Sequence, residues 1–203
     1  MNSSLRFEAR LAFIAIVVVF MLYGIIHKVN DYMYEDYTEV ARPVAEAVVE
    51  SLQSEEDIVE LVEQEDEYYS QLQCLALNIY HEARSESPLG QEAVGLVTMN
   101  RVQDKRYPDT VCDVVYQAHV DSKGRPKRNK CQFSWYCDGK SDTIHDMVAF
   151  KAIEELSASI IVAYGVQRDI TDGAVMYHAS YVKPYWASSY IKTSRVDSHI
   201  FYK

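Results

Sequence analysis

The stretch that decides the fold is "NIYHEARSESPLGQEAVGLVTMNRV", residues 78–102. Its first part closes a segment, 71–83, whose apolar residues recur at helical spacing. Ser87-Pro88 then interrupts the pattern. Serine is a preferred N-cap and proline is favoured in a first helical turn, so this pair predicts the start of a new helix. A second helix is predicted over 89–102. The residues expected to face the core of these two helices are Leu75, Ile79, Ala83, Ala93, Val94 and Val97.

Downstream segments predict a mixture of helices and strands. Residues 145–164 form a predicted helix that Gly165 ends. The other predictions are a turn with a short apolar element at 106–117, a basic loop at 122–130, a strand and turn at 131–140, and short strands at 171–182 and 199–203. Helices outnumber strands and do not alternate with them, so the sequence predicts a mainly helical α+β domain with short β-hairpins.

The N-terminal segment is strongly apolar. Residues 11–26 carry no charge, and as a helix they would span about 24 Å, slightly less than a ~30 Å hydrocarbon core. Snorkelling of Arg10 and Lys28 can make up the difference. A cleaved signal peptide is the alternative, but no small-residue cleavage site follows the run. We expect 1–30 to be a single-pass anchor in the cytoplasmic membrane.

Charge divides the rest of the chain into two parts. Residues 31–67 hold fourteen acids and one base, whereas 68–203 hold sixteen bases and fifteen acids. The acidic part has helical periodicity and predicts a helical spacer over 31–70, followed by a catalytic domain over 71–203. The spacer's apolar stripe fits either self-association or packing on the domain, so the oligomeric state stays open. Without a concentrated basic face, nucleic acid is excluded as a partner.

The topology of the anchor follows from the same charges. Arg6 and Arg10 precede the apolar run and acids follow it, which places the N-terminus in the cytoplasm and the domain outside, in the periplasm. The four cysteines fit an oxidising compartment. Two disulfides are expected among Cys74, Cys112, Cys131 and Cys137, in any of three pairings. A metal site is disfavoured by their spacing, and no metal or cofactor is expected.

Glu82 is the best candidate for acid–base chemistry. It lies at the predicted C-terminal end of helix 71–83, where the helix dipole disfavours a negative charge, beside apolar Ile79 and Ala83. Both effects raise the pKa of a carboxyl group, as a proton donor near neutral pH requires. Glu86 falls in the turn and is expected to be ionised or to act as a cap partner.

Later segments supply residues typical of a carbohydrate groove, since aromatic faces stack on sugars and amides or imidazoles bind hydroxyl and N-acetyl groups. The predicted substrate-binding residues are Glu86, Gln132, Ser134, Tyr177, His178, Trp186 and His199. Phe133 and Trp135 alternate, so one of them is expected in the core. Tyr177 and His178 are expected on opposite faces of a strand, so only one can line the groove.

Six segments occur in a fixed order along 74–202: "NIYHEARSE", "GQEAVGLVTMNRV", "YPDTVCDVVYQ", "CQFSW", "TDGAVMYHASYVKPYW" and "SHIFY". Together they resemble the cell-wall hydrolase family that includes the spore-cortex-lytic enzymes. The resemblance implies a lysozyme-like fold, lytic transglycosylase activity on peptidoglycan glycan strands, and Glu82 as the catalytic residue. The chain departs from the family pattern at Ser85, where glycine is usual, and at the basic insertion 123–130.

A transglycosylase of this kind needs one carboxylic acid. A hydrolase needs a second one about 5–9.5 Å away, and Glu86 or Asp172 is the candidate. A zinc peptidase is a weaker alternative, because "HEARS" lacks the second histidine of H-E-x-x-H. A non-catalytic glycan-binding anchor also remains. The basic loop is either simply solvated or in contact with anionic wall polymers or stem-peptide carboxylates.

Overall fold

The structure, a computed structural model, describes residues 55–203, with side chains described from Val59 onward. The predicted anchor and the first part of the predicted spacer lie outside these residues. Within 55–203, no helix combines the length and the apolar character needed to cross a bilayer. Residues 62–203 make up one compact unit.

The first described helix, α1, spans Glu55–Ala83 and is 29 residues long. The sequence predicted a helical spacer ending at residue 70 and a separate helix from Gln71, whereas Glu55–Ala83 is one continuous helix. No glycine or proline occurs between 55 and 83, so nothing local ends the helix where the composition changes. From Val59 to Ser70 no side chain of α1 is buried. The change in composition therefore marks where burial begins within a continuous helix.

The second helix, α2, spans Pro88–Gln103 and confirms the predicted helix within one residue at each end. The Ser87 side chain accepts a hydrogen bond from the Gly90 amide at 3.3 Å, which is the predicted N-cap. Gly95 lies where α2 meets two other helices. A Cβ there would come within 2.9 Å of Ile79 Cδ1 and 2.7 Å of Ile160 Cδ1. Glycine thus lets three helices approach closely.

Two further helices complete the helical layer. The short apolar element is a helix, α3, Val111–Val115. Helix α4 spans Met147–Ala163, and its N-cap Asp146 accepts a hydrogen bond from the Ala149 amide at 3.0 Å. Gly165 follows at φ 80°, so the predicted glycine stop is correct.

Between residues 55 and 203, five strands form two small antiparallel sheets. In the first, β1 (Ala118–Val120) pairs with β2 (Pro126–Cys131). The second contains β3 (Met176–Ala179), β4 (Lys192–Val196) and β5 (His199–Tyr202) in the order β3-β5-β4. These elements confirm the predicted mixture of helices with short β-hairpins.

Two predictions between residues 122 and 140 are wrong. The predicted basic loop 122–130 is instead largely strand β2 with its turn. The predicted strand in 131–140 is a 3-10 helix, Ser134–Cys137. The disulfide Cys131–Cys137 spans six residues and holds the chain in this tight turn. A second bridge joins Cys74 to Cys112, so the prediction of two disulfides is confirmed and their pairing is resolved.

The core has two parts. The larger cluster joins the helices to the 3-10 helix, and it contains Leu75, Ile79, Val114, Trp135 and Ile153. The smaller one packs α2 against the second sheet and consists of Ala93, Val97, Ala174 and Phe201. The end of α1 and the sheet that carries Tyr177 are both fixed against α2. This packing brings the candidate residues together.

Candidate active site

Glu82 lies in the last turn of α1 and contacts the second sheet. Its neighbours Ile79 and Ala83 are fully buried, and its carboxylate Oε2 accepts a hydrogen bond from the Tyr177 hydroxyl at 3.1 Å. Burial raises the pKa of the Glu82 carboxyl, while the Tyr177 hydrogen bond and the Arg101 charge act in the opposite direction. The predicted environment of a proton-donating carboxylic acid is thus present around Glu82.

Tyr177 is held in place by its position in β3. It pairs with Phe201 of the central strand, and its ring meets the His199 ring edge-on with centroids 5.3 Å apart. Burial, together with the neighbouring Glu82 charge, raises the pKa of Tyr177 well above its usual range. The hydroxyl therefore stays protonated and serves as a hydrogen-bond donor to Glu82.

Arg101 is a charged residue beneath the site that the sequence reasoning missed. Only 3% of it is exposed, and its Nε donates to the Val175 carbonyl at 2.8 Å. The guanidinium carbon lies 4.9 Å from the centroid of the Phe133 ring. Its charge favours the ionised form of Glu82. The available signal was its position, since Arg101 continues the inward stripe of Val94 and Val97 along α2.

Gln132 approaches the same guanidinium. In the amide orientation that satisfies both groups, its oxygen accepts from Arg101 Nη1 at 3.2 Å and from Nη2 at 3.1 Å. Ser134, predicted beside it, is exposed at the start of the 3-10 helix. Of these two predicted substrate contacts, only Gln132 connects to the residues around Glu82.

Phe133 and Trp135 are both buried, so the prediction that one of them is in the core understates the packing. Trp135 Nε1 donates to Asn78 Oδ1 at 3.0 Å. The Trp135 indole also stacks on the His81 ring, with centroids 4.5 Å apart and planes at 20°. The indole therefore supports the last turn of α1, which carries Glu82.

Glu86 contacts the turn between β4 and β5. Its Oε2 accepts from the Ser198 amide at 3.2 Å, and its Oε1 accepts from the Ser198 hydroxyl at 2.5 Å. His199 Nδ1 lies 3.9 Å from the same Oε1. Both carboxylate oxygens of Glu86 accept hydrogen bonds from Ser198. Its predicted substrate contact stays a prediction.

Gly90 explains how closely this turn approaches α2. A Cβ on Gly90 would collide with the Asp197 carboxylate and lie 2.9 Å from Glu86 Cβ. Asp197 also accepts hydrogen bonds from the amide and the hydroxyl of Ser87. The start of α2 and the β4–β5 turn are therefore joined by two neighbouring carboxylates.

His178 and Trp186 form a separate cluster on the opposite face of β3. His178 Nε2 lies 2.9 Å from the Tyr202 hydroxyl, and the two rings stack. Trp186, on the 3-10 helix Tyr185–Ser189, contacts both rings edge-on at 5.5 Å. As predicted, Tyr177 and His178 face opposite ways. Of the predicted site residues on this sheet, Tyr177 and His199 share the face that contacts Glu82.

His199 is buried beside Tyr177, and its Nδ1 has no hydrogen-bond partner within residues 59–203. Burial lowers the pKa of His199, against the opposing charge of Glu86. In the described part of the chain, no group of three or more potential ligand side chains is arranged to hold a metal ion. The groups near the Glu82 carboxyl are the Tyr177 phenol, the Arg101 guanidinium and, packed on Tyr177, the His199 imidazole.

Two solved catalytic domains are similar to this chain. The catalytic domain of the germination-specific lytic transglycosylase SleB from Bacillus anthracis is 26% identical, covering 66% of this chain and 93% of that chain, with a TM-score of 0.48. For the catalytic domain of Bacillus cereus SleB the identity is 25%, the coverage 66% and 89%, and the TM-score 0.45. No curated protein matches the chain.

The family model for cell wall hydrolases matches residues 85–202, more than half of the 203-residue chain. The match begins three residues after Glu82 and includes Arg101, Tyr177 and His199. The chain therefore belongs to the cell wall hydrolase family and is a peptidoglycan-cleaving enzyme.

Proposed function

We propose that the protein is a lytic transglycosylase that cleaves the bond between MurNAc and GlcNAc, with Glu82 as its single catalytic carboxyl group. The observation that carries this proposal is the contrast between Glu82 and the other two candidate carboxylates. Glu82 is partly buried and has a raised pKa. Glu86 is held by Ser198. Asp172 lies on an exposed turn and pairs with Lys203 at 2.8 Å.

In the first step, the protonated Glu82 donates its proton to the glycosidic oxygen. The bond from that oxygen to C1 of MurNAc breaks, GlcNAc leaves with a free hydroxyl, and positive charge develops at C1. The Tyr177 hydroxyl and the Arg101 charge favour the carboxylate that remains on Glu82. Both groups are already in place, so the charge is stabilised as it forms.

In the second step, the Glu82 carboxylate takes the proton from the C6 hydroxyl of the same MurNAc. The C6 oxygen bonds to C1 and closes a 1,6-anhydro ring, and Glu82 returns to its acid form. No water is consumed. A hydrolase would need a second carboxylate to activate water or to form a covalent intermediate. The two candidates make other contacts, Glu86 with the Ser198 hydroxyl and Asp172 with Lys203.

Digestion of purified peptidoglycan in heavy-oxygen water tests the proposal. A transglycosylase releases muropeptides that are one water lighter than hydrolysis products and carry no heavy oxygen at MurNAc C1. Mass spectrometry of the released fragments reads both properties at once. Reducing ends labelled with heavy oxygen would establish a hydrolase instead. The Glu82→Gln variant, run in parallel, controls for contaminating activity.

We also propose that residues 1–30 anchor the enzyme in the cytoplasmic membrane, with the catalytic domain outside in the periplasm and in reach of the glycan strands. The support is the uncharged run 11–26, with arginines before it and acids after it. The full-length protein is expected in the membrane fraction, and protease added to spheroplasts is expected to digest the domain. Recovery of a soluble form that starts near Asp31 would identify a cleaved signal peptide.

A further inference from the structure

The basic insertion forms a hairpin beside the site. Residues 118–131, called the basic hairpin below, comprise β1, β2 and their turn. They contain five lysines and arginines and one acid, Asp121, in a chain whose formal net charge is −10. This concentration of positive charge is a local exception within an acidic protein.

A cavity of about 420 Å³ opens at the base of the basic hairpin. Its polar lining includes Gln117, His119, Asn129, Lys130 and Gln132. Asn129 has φ 57°, which interrupts the alternation of the strand, and the consecutive residues Asn129 and Lys130 both line the cavity. The cavity therefore combines amide groups, an imidazole and an ammonium group.

One group in this cavity has an unmet hydrogen-bond requirement. The Gln117 side-chain oxygen is buried and finds no partner within residues 59–203. A buried polar atom left in this state is costly unless a ligand or water satisfies it. A ligand with an N–H or O–H group would supply the hydrogen bond that the Gln117 side-chain oxygen lacks.

The charge on Lys130 is also available. Within the hairpin, Arg125 pairs with Asp121 at 2.8 Å, and Arg128 donates to the Asp138 carbonyl at 3.2 Å. None of the ion pairs formed among residues 59–203 includes Lys127 or Lys130. An anionic group entering the cavity would thus meet an ammonium group that needs no rearrangement of an existing pair.

The cavity is connected to the catalytic residues through Gln132. Gln132 lines the cavity. In the amide orientation described above, its oxygen also accepts hydrogen bonds from both Nη atoms of Arg101. Arg101 in turn lies within electrostatic range of Glu82. Two consecutive side-chain interactions, Gln132 with Arg101 and Arg101 with Glu82, therefore link the cavity to the candidate acid.

We propose that this cavity is a subsite for the peptide stem of peptidoglycan. Lys130 binds a stem carboxylate, while Gln117 and Asn129 bind peptide amides. The inference rests on the proposed function, because a glycan cleaved at Glu82 carries the stem on the lactyl group of its MurNAc. A phosphate-rich wall polymer would use the same charge, but it offers no peptide N–H for Gln117.

Binding of a free stem tetrapeptide to the full-length chain tests the subsite independently of cleavage. Isothermal titration calorimetry compares the peptide with its carboxylate-amidated form on wild type, Lys130→Gln and Lys123→Gln. Lys123→Gln removes the same charge from the exposed turn, outside the cavity lining. We expect Lys130→Gln and peptide amidation each to raise Kd about 3- to 10-fold, the size of one hydrogen bond made in exchange for water, and Lys123→Gln to leave Kd within about twofold.

A kinetic comparison uses glycan strands with and without their stems. In Lys130→Gln, the ratio of kcat/KM for stem-bearing to stem-free strands is expected to fall by the same factor. Wild type that cleaves neither strand refutes the proposed function, while the peptide titration still decides the subsite. Equal losses in Lys123→Gln and Lys130→Gln, or binding of polyphosphate without binding of the peptide, overturn the subsite.

Discussion

The Tyr177 hydroxyl donates a hydrogen bond to Glu82 across 3.1 Å, although the two residues are 95 positions apart in the chain. One belongs to the last turn of α1 and the other to an edge strand of the second sheet. The bond opposes the effect of burial on the Glu82 carboxyl. Tyr177 is therefore a positioning residue whose removal should be visible in the pH dependence of catalysis.

Tyr177→Phe is expected to shift the alkaline limb of the kcat–pH profile to higher pH. Glu82 must be protonated to act as an acid, so kcat falls as pH rises through its pKa. Burial raises that pKa, and the Tyr177 hydrogen bond lowers it. Loss of the bond therefore raises the pKa further. Initial rates of fragment release across the pH range measure the shift.

Tyr116→Phe is the matched control, since Tyr116 is a partly buried tyrosine packed on Trp135 and Tyr136. Its profile should coincide with that of wild type. An alkaline limb in Tyr177→Phe that stays in place or moves to lower pH would contradict the assigned effect of the hydrogen bond.

Glu82→Gln is expected to lower the rate of glycan cleavage by about 10²–10⁴-fold, at the upper end because one group acts twice. Glutamine fills the same space and hydrogen-bonds, but it transfers no proton. Glu86→Gln keeps most of its contact with Ser198 and should lose less than about tenfold. Rates of muropeptide release, with circular dichroism to verify folding, separate the two. An inactive Glu86→Gln beside an active Glu82→Gln would reverse the assignment.

Asn78→Ala is expected to destabilise the fold by about 2–4 kcal/mol. Asn78 is fully buried, donates to Thr98 Oγ1 at 3.1 Å and accepts from Trp135 Nε1 at 3.0 Å. Its loss leaves the indole N–H buried without a partner and opens a cavity beside α2. Urea unfolding followed by tryptophan fluorescence measures the change. Gln103→Ala, at the exposed end of α2, should change stability by less than about 0.5 kcal/mol.

The two disulfides are expected to differ in their contribution to stability. Cys74–Cys112 closes a loop with a separation of 38 residues and Cys131–Cys137 one of six. Loop-closure entropy then gives about 4 kcal/mol for the first bridge and about 2 kcal/mol for the second. Thermal unfolding of the two paired Cys→Ala variants should rank them in that order. A larger loss from the shorter loop would show that native packing, and not chain entropy, dominates.

Local signals in the sequence predicted the helices well. Ser87-Pro88 and Gly165 mark helix ends through their own backbone preferences, and both were located correctly. The continuity of α1 through residue 70 was missed because the composition changes there without any helix-breaking residue. Strand β4 was missed because "KTSRV" lacks the apolar alternation that marks a half-buried strand.

The errors between 122 and 140 have a different cause. The alternation of Phe133 and Trp135 was read as a strand, but the bridge Cys131–Cys137 closes a short loop in which both rings turn inward. The charged segment before it was read as a loop, although edge strands of small sheets tolerate charge and proline. The alternation of apolar residues does not show which cysteines pair, so it could not indicate that this bridge bends the chain.

The candidate site was only partly predictable for the same reason. Glu82 was proposed from its place at a helix end beside apolar residues and from the resemblance of "HEARSE" to the family pattern. Its contact with Tyr177 and the charge of Arg101 depend on how α1, α2 and the second sheet pack together. His178 and Trp186 have the right chemistry for a sugar but lie on the opposite face of β3 from the Tyr177–Glu82 bond.

The strand order β3-β5-β4 also determines the order in which the second sheet can assemble. The central strand follows both of its neighbours in the chain, so β3 and β4 have no sheet partner until His199–Tyr202 inserts between them. A chain in which α1 has formed but β5 has not yet docked therefore contains the acid Glu82, while Tyr177 still lacks the strand that positions it as the hydrogen-bond donor.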